Sequence, residues 1–168
     1  MTENVSIRKI KPDGTVIEEV DTGKALLKEQ DFYMQSLLED KEGNYYICYG
    51  KGIYVLRPDG EPYFQVDAGT YISNMFSIKG EKTVAAYYGD RGWELQEVDM
   101  AGKSLKALDS QIAFEYGTYQ SGGNGADILY TEGTKLYTYN IGEEEPTEIL
   151  NWVDSDIDSG NLQDFAIL

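Results

Sequence analysis

The chain has 168 residues, 14 of them basic, 30 acidic and none histidine, for a formal charge of −16. That charge repels nucleic-acid phosphates and anionic membranes, whose recognition depends on cations, and the missing imidazole excludes Ser-His-Asp and Cys-His catalysis together with every His-ligated metal site. Fourteen tyrosines and 18 glycines favour β-strands broken by tight turns over helices, within one domain.

Taken in chain order, residues 5–10 and 15–20 read as two strands around Pro12-Asp13-Gly14. Four strand-like runs follow at 32–40, 45–49, 53–57 and 62–66, then four more at 72–78, 83–88, 93–98 and 104–108. A third set falls at 114–119, 127–131, 135–139 and 146–150, and a last candidate strand at 162–168. The runs are short, β-branched or aromatic and often alternating, as half-buried strands are. Cys48, the only cysteine, lies inside the second run of its set, where alternation makes it a packed residue that has no internal disulfide partner.

Turn chemistry repeats along this series. Pro12-Asp13-Gly14, Pro58-Asp59-Gly60, Met100-Ala101-Gly102 and Asn140-Ile141-Gly142 place glycines 46, 42 and 40 residues apart. A second class of turn, at Gly50-Lys51-Gly52, Gly89-Asp90-Arg91-Gly92 and Glu132-Gly133, precedes the third strand of each set. Lettering the strands a to d, the unit a-b-c-d occurs three times. A four-stranded unit of about 40 to 50 residues is the period of a propeller blade, in which stacked sheets cover each other's apolar faces. The expected fold is therefore all-β: a β-propeller segment of about three complete four-stranded antiparallel blades plus flanking strands, with a β-sandwich as the competitor. Its divisions are 1–31 (the c-d strands of a partial blade and a linker), 32–71, 72–113 and 114–161 (blades), and 162–168 (the first strand of a further blade). The blade count does not close, which suggests a piece of a longer protein or a chain that pairs with another copy through its open blade edges.

Leu37-Leu38-Glu39-Asp40-Lys41-Glu42-Gly43-Asn44-Tyr45-Tyr46-Ile47, followed by Gly52 to Gly60, resembles the blades of bacterial two-component-regulator-type sensor propellers. Ile149-Leu150-Asn151-Trp152-Val153-Asp154-Ser155-Asp156-Ile157 is similar to propeller regions preceding extracellular solute-binding domains of Gram-positive lipoproteins. The resemblance implies a bacterial, extracellular or cell-surface setting and a part in a larger receptor, sensor or solute-binding protein. The N-terminus lacks the basic-then-apolar pattern of a signal peptide, and no apolar run approaches the roughly 20 residues of a membrane span.

In blade geometry the b-c and d-a connections open on one face, and repeat folds place function on one such face. Arg91, Trp93 and Trp152 are the expected ligand-binding residues there. Asp154, Asp156 and Asp158 alternate as calcium ligands do, although Gly160 falls one position late and Phe165 stands where the closing Glu belongs, so a solvated acidic turn is the other reading. Tyr87, Tyr88, Tyr116 and Tyr119 join the tryptophans as either a recognition surface or blade-to-blade packing. Apart from the calcium reading, no cofactor is implied. The expectation is a non-enzymatic module binding a protein, peptide or glycan, against two alternatives: a carbohydrate-active enzyme with carboxylates from separate blades, or a structural spacer.

Overall fold

The computed structural model describes residues 6–22, 34–89, 92–108, 119–123 and 125–153. Strand β1 (Ser6–Ile10) pairs with β2 (Val16–Asp21) as an antiparallel hairpin, a two-stranded sheet among the described residues. Three four-stranded antiparallel meanders follow, each in simple chain order. The first comprises β3 (Met34–Glu39), β4 (Tyr45–Tyr49), β5 (Gly52–Leu56) and β6 (Pro62–Asp67). The second has β7 (Ile72–Ile78), β8 (Lys82–Gly89), β9 (Gly92–Asp99) and β10 (Ser104–Ala107), and the third β11 (Tyr119–Ser121), β12 (Ile128–Glu132), β13 (Lys135–Tyr139) and β14 (Thr147–Asn151). No described residue is helical, so no described helix is long and apolar enough to cross a membrane.

The expected sets of strands therefore fold as all-β antiparallel sheets, and β4, β7 and β13 keep their expected limits. In the third set the described strand β11 runs past the expected limit at 119 as far as Ser121, which pairs with Ile128. Residues 114–118 and 162–168 lie outside the described residues.

Alternation explains how the sheets pack. In β4, Tyr45 and Ile47 turn toward Val20 of the hairpin, whereas Tyr46 and Cys48 turn toward Ile72 and Met75 of the second meander. Both faces of this strand are consequently buried, which is why its sequence is apolar or aromatic at every position rather than at every second one. The same logic operates in β8, where Ala85 packs toward the first meander and Val84 and Ala86 toward Ile128 and Tyr130 of the third. Each meander thus packs face to face against its neighbours in chain order. Their first strands approach one another, β3 to β7 and β7 to β11, and Asn74 Nδ2 donates to Tyr119 O across the second gap at 2.8 Å.

Candidate functional site

The residues singled out from sequence separate on the structure. Trp152 is 3% exposed. Its amide donates to Thr134 O at 3.0 Å, prolonging the β13–β14 pairing by one residue and seating the indole in the interior rather than on the surface where a ligand was expected to meet it. Tyr87 and Tyr119 are also buried, at 6% and 2%. Tyr87 donates its hydroxyl to Glu94 Oε2 at 3.1 Å, and Tyr119 stacks on Tyr130 with ring centroids 5.9 Å apart. These aromatics are packing residues. Trp93 belongs to β9, while Arg91, Tyr116, Asp154, Asp156 and Asp158 lie outside the described residues. Among the described residues no three acidic or cysteine side chains gather into a group able to hold a metal ion.

Tyr88 is different. It stands 52% exposed near the end of β8, and Tyr71, which the sequence reading did not select, stands 67% exposed just before β7. The register places them together: Ile72 is opposite Tyr87, so Tyr71 and Tyr88 flank the same end of that strand pair, and Thr70 Oγ1 donates to Tyr88 O at 3.4 Å. The turn between β4 and β5 from the preceding sheet lies alongside. Lys51 Nζ sits 5.6 Å from the Tyr71 ring centroid, a cation–π distance.

Backbone bonds hold this end in shape. Ala68 N–H donates to Lys51 O at 2.8 Å and Ile72 N–H to Gly50 O at 3.1 Å, tying the β6–β7 connection to the β4–β5 turn. Asp67 Oδ1 accepts from Gly69 N–H at 2.8 Å, closing a short turn before the tyrosine. The result is a surface of two phenol rings, one ammonium and one hydroxyl on a braced backbone, chemically suited to stacking and hydrogen bonding.

The opposite ends of the sheets carry the carboxylates whose surroundings shift them. Asp40 lies in the β3–β4 turn and accepts from Asn44 Nδ2 (2.9 Å), Asn44 N–H (2.9 Å), Glu42 N–H (2.8 Å) and the Tyr46 hydroxyl (3.0 Å). Burial alone would raise its pKa, but these donors outweigh burial and hold it below the ordinary 3.8. Asp127 is likewise pushed up by burial and drawn down further by Lys79, 2.6 Å away, and by the Ile141 amide at 2.8 Å. Tyr63 lies between two cations at this end, with Arg57 5.1 Å and Lys103 5.0 Å from its centroid. Burial lifts the Cys48 thiol to about 11, with a small opposing contribution from Ser36, so the cysteine is a core residue and a poor nucleophile.

No family model matches the chain, and no curated protein matches it. Among solved structures it is similar to a protein of unknown function from Bacteroides caccae, determined at 1.35 Å resolution. The TM-score is 0.50 at 16% sequence identity, over 88% of this chain and 53% of the other. The likeness is one of fold. The chain spans about half the length of that structure.

Proposed function

We propose that this chain is a segment of a β-propeller that serves as a non-catalytic recognition module for a protein, peptide or glycan, within a larger extracellular receptor, sensor or solute-binding protein. The propeller reading is supported by three successive four-stranded meanders packed face to face in chain order, with their first strands drawn together. The recognition reading rests on one observation: Tyr71 and Tyr88 are both exposed at the same end of the β7–β8 pair, with the Lys51 ammonium over Tyr71. Among the described side chains Tyr71 and Tyr88 are the only exposed aromatics, and exposed aromatics on a rigid support are the kind of anchor that binding surfaces use.

Screening the protein against glycan and peptide arrays, followed by calorimetric titration of the hits, tests this reading. Tyr71→Ala with Tyr88→Ala is expected to weaken binding about tenfold or more, the equivalent of about 1.4 kcal/mol, with the thermal midpoint nearly unchanged because both rings are exposed. Binding that survives the double substitution would remove this surface from the function. Turnover of an array glycan would replace the module with an enzyme.

A further inference from the structure

Tyr63 bulges from β6 between the partners of Val55 and Leu56, and a bulge re-aims a side chain. Strict alternation would send Tyr63 and Phe64 to opposite faces, yet both pack against the cluster that joins the first two meanders. Their rings meet edge to face, with centroids 5.2 Å apart. The Tyr63 ring thereby stands where turns from two different sheets bring their cations. Arg57 comes from the β5–β6 turn, with Cζ 5.1 Å from the ring centroid, and Lys103 from the β9–β10 turn, with Nζ at 5.0 Å. Lys103 takes left-handed backbone, φ +50°, which a residue with a Cβ adopts only at a cost. Asp99 Oδ1 fixes that turn by accepting from Ala101 N–H and Gly102 N–H, each at 3.0 Å.

Acidic residues outnumber basic ones 30 to 14 in this chain, and Arg8, Lys9, Lys79, Lys82 and Lys135 each hold a carboxylate at 2.6–2.9 Å. Among the described residues Arg57 and Lys103 enter no such ion pair, and what they share is one ring. The aspartates of their own turns face the backbone, Asp99 as above and Asp59 by accepting from Glu61 N–H at 3.1 Å. Both cations are exposed. Like charges gathered at one ring repel each other, and an anion between them turns that repulsion into attraction.

We propose that Arg57 and Lys103 form a binding site for a tetrahedral oxyanion, a single phosphate or sulfate group, held at the rim of Tyr63 between the first two meanders. The guanidinium offers a fork of donors to two oxygens, and the ammonium is a point charge on a flexible stem that closes the remaining gap. Two cations balance the charge of about −2 on a phosphate monoester, whereas a carboxylate would match only one of them. The overall charge of −16 disfavours a polyanion. A single group in contact with both cations escapes most of that field, which is screened over about 8 Å at physiological salt. The site lies at the opposite ends of the sheets from Tyr71 and Tyr88 and does not depend on them.

Amide NMR titration of the full chain at low ionic strength tests the proposal, with sulfate, glucose 1-phosphate and acetate as separate probes. Sulfate and the phosphate ester are expected to give saturable shifts confined to the β5–β6 and β9–β10 turns, with acetate binding about tenfold more weakly. Arg57→Gln and Lys103→Gln should each weaken sulfate binding about fivefold, the scale of an exposed ion pair, while Tyr71→Ala leaves it unchanged. Both cations are exposed, so the rest of the spectrum is expected to stay in place in these variants. Binding of the ester should strengthen as pH rises through its second ionisation near about 6, and that of sulfate, a dianion throughout, should not. Sulfate binding without ester binding assigns the site to a free ion, and binding of both to a group carried on a larger ligand. Shifts that fail to saturate, acetate binding as tightly as sulfate, or sulfate binding that survives loss of both cations overturns the proposal.

Discussion

Asp40 and Asp127 show how a single carboxylate shapes a turn. Asp40 gathers the amides of Glu42 and Asn44 and the Tyr46 hydroxyl, and Asp127 joins Lys79 of the second meander to Ile141 of the third. Both folded-state pKa values are lowered from 3.8, so each group binds its proton more readily in the unfolded chain. Their contribution to stability is therefore present above the ordinary carboxylate range and is lost as pH falls through the lowered folded values. Asp127→Asn is expected to cost about 1 kcal/mol near neutrality, a modest figure because the exposed Lys79 is screened by solvent. In urea unfolding across a pH series, the gap between parent and variant should narrow below about pH 4. A gap independent of pH would show that the negative charge contributes nothing.

At the scale of the element, the two Pro-Asp-Gly turns form a natural control pair. Gly14 and Gly60 share nearly the same left-handed backbone, with φ of +85° and +83°. A Cβ on Gly14 meets nothing within 4 Å, whereas one on Gly60 falls 2.6 Å from both Asp21 O and Val20 Cγ1. Gly14→Ala should therefore cost only the left-handed strain, about 1–2 kcal/mol. Gly60→Ala should cost that strain and about 1 kcal/mol or more besides, because the turn can no longer lie against the end of β2. Equal midpoint shifts in urea would mean that the hairpin moves aside without cost. The strands themselves were legible because alternation and turn glycines mark them independently, as in Ile72–Ile78, where the limits agree to the residue. Bulges such as those at Ser73 and Tyr63 left no such mark, since one extra residue in a strand changes no composition.

Across the whole molecule, the order of sheets was readable from the recurring turns, but the division of aromatics between core and surface was not. Tyr87 and Tyr88 are neighbours of one type, and only the pleat decides that the first is buried and the second exposed. The burial of Trp152 was illegible for a related reason. Its acidic flank reads as surface, while the backbone bond to Thr134 that turns it inward depends on a register that no local pattern encodes.

The packing in pairs carries one more consequence. Each apolar cluster joins one sheet to the next and none spans three, so cohesion passes along the chain link by link, as in a solenoid. Opening is then expected to start at the two ends and travel inward rather than occur everywhere at once. Native-state hydrogen exchange read by mass spectrometry or NMR should rank the amides accordingly. β4 and β8, enclosed on both faces, should exchange slowest and only by global unfolding, while β2 and β14, whose side chains are almost all exposed, should exchange through local opening at free energies well below the global value. Uniform protection from β2 to β14 would instead mark the molecule as a single cooperative unit.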